Sequence, residues 1–303
     1  MTADRRNISA NELNQSVSNL NASGIEMLSR QPLDNVNEKF AGQISLSSSV
    51  GSLTRVCQSS SQHLAILVQP PERFAVRINL SSSALRQVGE FENVDWPIWN
   101  WCVRAVKAGF EFQLEASEET LEESDFPTLA PSHPGRRQSW LYEELCNVQI
   151  KLLANPIQSK SDATALRAGI LQINDYLDES HNNSQSVEGR GRNNAGDYWH
   201  AIMHRREPDY WNSKYWFRRV GSQSLFADLA DRVATILESC DSSQAQSWQL
   251  QLGAPDSWDS MVFVDLCEHC ANSSDASLVA ASQAIQFEEM LLLLESTRED
   301  AVS

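Results

Sequence analysis

The spacing of apolar residues divides the chain into two parts. From residue 138 onward, apolar side chains recur every three or four positions, which places them on one face of a helix. The clearest stripes are Leu141, Leu145, Val148 and Leu152; Leu166, Ile170, Ile173 and Leu177; Phe226, Leu229, Val233 and Ile236; and Leu278, Ile285, Leu291 and Leu294. This pattern predicts six or more helices and no convincing strand, and therefore an all-α domain of helical hairpins over residues 138–297.

The first part of the chain has a different pattern. Residues 1–60 are rich in Ser and Asn and poor in aromatic residues, so they are predicted to be largely disordered or irregular. Residues 61–115 are predicted to form a small α+β unit. Within it, the runs HLAILVQ and FAVRINL flank a Gln-Pro-Pro-Glu segment and predict a hairpin. A helix is predicted from Pro97 to about Gly109, and the alternating FEFQLE that follows predicts a strand.

Residues 116–137 are acidic at first and then contain three prolines and a glycine, so they are predicted to be a linker. The predicted fold is therefore mainly α. It has an all-α helical-hairpin bundle at the C-terminal side and a smaller N-terminal part of α+β type.

Charge and hydropathy narrow the class of protein. The formal net charge of −16 and the pI near 4.8 argue against general nucleic-acid binding, which needs a basic surface. We find no apolar run near 20 residues and no apolar core in the polar N-terminus, so neither a membrane span nor a signal peptide is predicted. These features predict a cytoplasmic protein.

The six cysteines are scattered along the chain, unlike a disulfide framework. The single Cys-x-x-Cys, Cys267 to Cys270, lies in an apolar context. That context favours buried helical thiols, with a redox pair or half of a metal site as alternatives.

The most unusual segment is residues 197–221, which hold three tryptophans, two histidines and five Lys or Arg residues. Its spacing predicts two helices that meet at Pro208, because proline cannot continue the first one. Asp209 is placed to cap the second helix, and Gly221 is placed to end it.

The string YWHAIMHRREPDYWNSKYWFRRVG in this segment resembles the core of an uncharacterised microbial protein family. That family's usual pattern is close to YWH-x3-HRRE-x-D-x2-N-x-KYWFRRVG. The upstream LDESHNNSQSVEG and the downstream WDSMVFVDLCEHC resemble two further family elements. The resemblance covers roughly residues 163–295 and implies a shared, mainly helical fold, but it implies no activity, substrate or cofactor.

The candidate catalytic residues are His200, His204 and Glu207, which lie on one helical face at positions i, i+4 and i+7. Two histidines four apart can bind one metal ion if a further ligand completes the set, and His181 and Glu179 are candidates to converge on them. The segment lacks the glutamate of H-E-x-x-H, and two arginines adjoin the pair. No metal and no other cofactor is therefore predicted. Structural, hydrogen-bonded histidines are the main alternative to a functional site.

An anion site is the other functional reading of this segment. From Arg190 to Arg219 there are seven basic and three acidic residues, a local charge of +4 in an acidic chain. Such a basic region can hold phosphate or carboxylate groups. The predicted ligand-binding residues are His181, Tyr198, His200, His204, Arg205, Arg206, Lys214 and Tyr215.

The leading functional hypothesis is a binding or interaction module for an anionic small molecule or an acidic peptide. The first alternative is an enzyme that uses His200 or His204 as general acid or base. The second is a purely structural helical domain. If the anion-binding hypothesis holds, Arg205, Arg206 and Lys214 should form one positive surface with a histidine at its edge.

Overall fold

The structure is a computed structural model. It describes residues 9–12, 14–15, 39–47, 61–68, 75–78, 82–117, 126–131, 139–253 and 257–303. The chain divides into two compact units. The first is Met1–Ser49 with Cys57–Thr120, and the second is Val50–Val56 with Leu121–Ser303. Most of the segment predicted to be irregular lies outside the described residues, as do 118–125 and 132–137 of the predicted linker.

The N-terminal unit contains a three-stranded sheet of order β2-β1-β3. Strand β1 is Phe40–Ser47, β2 is Ala75–Ile78 and β3 is Glu111–Ser117. Strand β1 pairs antiparallel with β2, with Ile44 opposite Val76, and parallel with β3, with Ile44 opposite Leu114. The helices are α1, Gln62–Leu67; α2, Ser82–Val88; and α3, Pro97–Lys107.

The hairpin predicted between HLAILVQ and FAVRINL is wrong, because the first run is helix α1 and not a strand. Ser61 caps this helix by accepting a hydrogen bond from the Leu64 backbone N–H. Its residues His63–Leu67 are all buried, so the run has no polar face from which a helical period could be read. The helix from Pro97 and the strand over FEFQLE are confirmed.

The core of this unit is built around two tryptophans of α3. The Trp99 indole donates to the Ile66 carbonyl oxygen at 2.9 Å, and the Trp101 indole donates to the Gly89 carbonyl oxygen at 2.9 Å. Both rings are fully buried, and their indole N–H groups have partners, so they serve packing.

The C-terminal unit is mainly α, and its helices pack together, as predicted. Its helices are α4, Ser139–Asn147; α5, Lys160–Ile173; α6, Leu177–Ser186; α7, Ala195–Arg206; α8, Tyr210–Val220; α9, Phe226–Glu238; α10, Ala245–Leu252; α11, Ser260–Ala271; and α12, Ala276–Val302. Helix α5 packs against α6, α7 and α12, while α9 and α11 also contact α12.

Helix α12 is the central core element of this unit. By length and composition it could cross a membrane, but 78% of its most apolar stretch is buried inside the fold. It also carries buried polar side chains such as Gln286 and Glu289, which bind partners within the protein. This burial is the pattern of a core helix and not of a lipid-facing span.

The helix pair predicted around Pro208 is confirmed. Helix α7 ends at Arg206 and α8 begins at Tyr210. The Asp209 side chain accepts from the Asn212 backbone N–H, and Gly221 ends α8 with a φ of +71°. The two helices pack along each other, so residues of α7 face residues of α8. Every residue of α7 is buried, which makes this helix part of the core as well as the carrier of the candidate site.

Candidate functional site: a cluster of three histidines

Three of the predicted site residues come together where α6 meets the α7–α8 pair. His181 lies on α6, and His200 and His204 lie one turn apart on α7. The ring centroids of His181 are 4.6 Å from His200 and 5.5 Å from His204, and the two α7 rings stack at 4.8 Å. The sequence spacing explains the α7 pair, and packing of α6 on α7 brings in the third histidine.

The ring of His200 is enclosed by aromatic surfaces. It stacks on Trp216 of α8 with ring centroids 3.9 Å apart, and it stacks on His204. Only 1% of its surface is exposed. Both of its ring nitrogens are buried without a hydrogen-bond partner among the residues that the structure describes. A neutral imidazole offers one N–H donor and one lone pair, so these two nitrogens are available to a partner such as an ion or a water molecule.

Burial lowers the pKa of His200 to about 3, and the charges of His204, His181 and Arg219 act in the same direction. The pKa of His181 is also lowered, first by burial and then by His204, while Glu207 and Asp178 oppose the shift. His200 is therefore neutral at physiological pH. A neutral imidazole keeps a lone pair for a ligand and cannot act as a cation toward an anion.

We expect the metal-free protein to lose stability as the pH falls below 6.5, the ordinary pKa of histidine. The unfolded chain binds a proton at His200 near pH 6.5, whereas the folded protein does not until about pH 3. Acid therefore favours unfolding in this window, and His181 adds to the effect. Urea unfolding between pH 7 and 5, with a chelator present, measures the slope.

His200→Leu should reduce this slope by up to about one bound proton. His269→Leu, at an exposed histidine of α11, is the matched control and should keep the wild-type slope. Equal slopes in the two variants would contradict the expectation.

The outer side of the cluster is formed by Glu207 and Asn212. A carboxylate oxygen of Glu207 lies 3.4 Å from Nδ1 of His204, and the side-chain amide nitrogen of Asn212 lies 3.1 Å from its Nε2. Glu207 is exposed, and Asn212 and His181 are half-buried, so solvent reaches the cluster from this side. Asn212 was not among the predicted site residues. Its position in the first turn of α8, four residues after Pro208, is the signal that could have indicated it.

The expected positive surface of Arg205, Arg206 and Lys214 is wrong, because both arginines are buried. Arg205 is 1% exposed and pairs with Glu289 of α12, which also accepts from the Tyr198 hydroxyl. Arg206 is fully buried and pairs with Asp175. The arginine side chain is long, and its guanidinium can reach a carboxylate inside the fold. An arginine in a polar sequence context can therefore still be buried in the core when it is paired.

The other predicted ligand-binding residues lie away from the histidines. Lys214 pairs with Asp265 of α11, and Tyr198 is fully buried beside Phe217. Tyr215 is 43% exposed and stacks with Trp211, which is 75% exposed. Of the eight predicted ligand-binding residues, the structure therefore brings three into one cluster: His181, His200 and His204.

The Cys-x-x-Cys segment forms part of the core. Cys267 and Cys270 are buried in α11, as the apolar context predicted, and both are free thiols. Burial raises the pKa of Cys267 to about 12, although Arg205 acts against this. A thiol with such a pKa stays protonated and is a poor nucleophile and metal ligand.

Within the described part of the chain, His181, His200 and His204 are the group whose geometry suits a metal ion. Their ligating atoms all lie within 4.8 Å of one another. A tetrahedral zinc ion with Zn–N bonds of about 2.0–2.1 Å separates its nitrogens by about 3.3 Å, so the cluster must contract by up to about 1.5 Å to bind it. His181 is half-buried and lies on a different helix from the other two histidines.

Comparison with protein-family models, with curated proteins and with solved structures finds no match for the chain.

Proposed function

We propose that the C-terminal unit is a metal-dependent binding module, in which His181, His200 and His204 hold a divalent transition metal. The observation that carries this proposal is His200, a buried and neutral imidazole whose two nitrogens receive no hydrogen bond from the described residues and which lies beside two further histidines. A metal ion binds the lone pair of one nitrogen and leaves the other as an N–H donor for water, and nitrogen-rich sites suit zinc, copper or nickel. We take zinc as the first candidate.

The contacts around the cluster answer both objections that the sequence raised against a metal. The missing third ligand is His181, which lies 19 positions before His200 but packs against it. The two adjacent arginines are neutralised by Glu289 and Asp175, and their charged groups are held by these partners. The two arginines therefore repel a divalent cation less than the sequence HRRE indicates.

Glu207 supports the same proposal. Its carboxylate oxygen lies 3.4 Å from Nδ1 of His204, and an N–H at that nitrogen would leave the lone pair at Nε2 for a metal. A carboxylate that accepts from a ligating histidine fixes the tautomer of the ring and raises its basicity. Glu207 is thus a positioning residue for His204.

The enzyme alternative is weakened at His200. A general base works best with a pKa near the operating pH, and the pKa of His200 is about 3. His204 and Glu207 stay candidates for acid–base chemistry. Two further hypotheses from the sequence stay predictions. They are the binding of an anionic small molecule or an acidic peptide, and a cytoplasmic location.

We expect the full-length protein to bind about one zinc ion per chain, and His200→Ala to weaken zinc binding by more than about 100-fold. Loss of a ligand should exceed the 10- to 100-fold cost of losing a residue that merely supports one. Isothermal titration calorimetry after chelator treatment measures the affinity and the stoichiometry. Zinc should also raise the Tm, because it binds the folded state.

The matched control is His269→Ala, which removes an exposed histidine of α11 and should leave zinc binding unchanged. His181→Ala provides a second test at a half-buried position, in case His200→Ala fails to fold. Unchanged zinc affinity in a folded His181→Ala or His200→Ala protein would show that the histidines only pack together.

A further inference from the structure

We infer that the metal held by the three histidines keeps one coordination position open, and that this position takes a small oxyanion beside the amide of Asn212. The inference rests on the proposed function, because it needs the metal in place. It names the class of ligand that the module binds, a carboxylate or phosphate group.

The charge of the proposed site favours an anionic ligand. Three neutral imidazoles leave the two positive charges of the metal uncompensated. Among the described residues, Glu207 is the carboxylate that contacts the cluster, and it faces Nδ1 of His204. Asp178 acts on His181 through its charge alone. A cation bound without an anionic ligand favours an anion at its free position.

The number of protein ligands leaves one coordination position of the metal open. The described cluster offers three ligating side chains, and buried Trp216 closes it on the side of α8. Three protein ligands and one position for water or substrate form the arrangement of zinc sites that react or bind, whereas structural zinc sites have four protein ligands. The exposed side, next to Glu207 and Asn212, leaves room for a ligand from solvent.

The side-chain amide of Asn212 is placed to donate a hydrogen bond to an oxyanion on the metal. Its nitrogen lies 3.1 Å from Nε2 and 3.4 Å from Nδ1 of His204. When Nε2 binds a metal, the amide loses this acceptor, and its N–H groups are freed at the entrance of the site. An oxyanion on the metal is the acceptor that suits them.

Four of the seven basic residues of this region are paired with carboxylates. Arg205 and Arg206 are buried on their carboxylate partners, Arg219 pairs with Glu188 and Asp197, and Lys214 pairs with Asp265. The positive charge that the sequence assigned to these side chains is therefore largely compensated within the fold. In the proposed site, the metal supplies the charge that holds the anion.

The test uses full-length protein treated with a chelator and loaded with one equivalent of Co²⁺, whose visible absorption reports its ligands. Sodium acetate and inorganic phosphate are titrated separately at constant ionic strength. We expect either anion to shift the cobalt bands with saturation. Asn212→Ala should raise the apparent Kd of the anion by about tenfold, the effect of one lost hydrogen bond. Cobalt should bind Asn212→Ala at least as tightly as the wild type, because it no longer has to displace the amide from Nε2 of His204.

Arg218→Ala, which removes an exposed cation from the same helix, is the control and should leave the anion titration unchanged. The rival is Glu207 as the fourth ligand. In that case the wild-type bands would not respond to anions, but those of Glu207→Ala would, and this result would overturn the inference. Equal anion affinity in Asn212→Ala would also overturn the role given to the amide.

The two proposals fail in different ways. If cobalt gives no histidine-dependent spectrum, the metal site itself is refuted, and the oxyanion inference with it. If cobalt binds and His200→Ala abolishes its spectrum, but no anion perturbs it in any variant, the metal proposal stands and the oxyanion inference falls.

Discussion

Arg206→Ala is expected to lower the free energy of unfolding by about 3–5 kcal/mol, the cost of leaving the partner of a buried ion pair uncompensated. The Arg206 guanidinium is fully buried and donates to the Asp175 carboxylate and to the Gln172 and Thr128 carbonyl oxygens. Its loss removes a charged donor from each of these acceptors. Urea denaturation monitored by circular dichroism measures the change.

Arg218→Ala is the matched control, because Arg218 is exposed on the neighbouring helix and should change stability by less than about 0.5 kcal/mol. The double variant Arg206→Ala with Asp175→Asn should recover part of the loss, since no unpaired charge then stays buried. Similar stabilities of Arg206→Ala and Arg218→Ala would refute the structural role.

Trp199→Ala is expected to destabilise the C-terminal unit by about 3–5 kcal/mol, as large-to-small changes in a packed core do. Trp199 is fully buried on α7, and its indole N–H donates to the Thr297 hydroxyl at 3.3 Å. The ring lies against Gly169 of α5 so closely that a Cβ there would come within 2.6 Å of it. The measurement is the same urea titration.

Trp211→Ala removes a tryptophan that is 75% exposed and should change stability by less than about 0.5 kcal/mol. Gly169→Ala should be harmful in the wild type, because the new methyl group meets the indole ring. In the Trp199→Ala background the loss should be smaller, because that ring is absent and alanine favours the helix by about 1 kcal/mol, although Leu294 Cδ1, 2.9 Å from the new Cβ, still has to shift. If Gly169→Ala lowered the stability equally in both backgrounds, the contact with the Trp199 ring would not be the cause of the loss.

The α7–α8 pair could be predicted from the sequence because its signals are local. Pro208 stops one helix, Asp209 caps the next and Gly221 ends it, and all three act within a few residues. The parallel pairing of β1 with β3 could not be predicted in this way. It joins Ile44 to Leu114 across 70 positions, and the local sequence of neither strand indicates which strand it pairs with.

The candidate site could be predicted only in part, because only some of its contacts are local in the sequence. His200 and His204 follow from helical spacing, whereas His181 joins them through the packing of α6 on α7. The roles of Arg205 and Arg206 were misread because their partners are distant or lie on another helix. Glu289 is 84 positions from Arg205, so composition alone placed a buried cation on the surface.

The two buried arginines also have a consequence for ligand binding. Arg205 fastens α7 to α12 and Arg206 fastens it to the turn after α5, so α7 can neither rotate nor slide without breaking a buried ion pair. Two of the three imidazoles are carried by this fixed helix and have already lost their freedom during folding. A ligand that joins them needs to immobilise little more than the His181 side chain, so the entropy opposing its binding is small from the start.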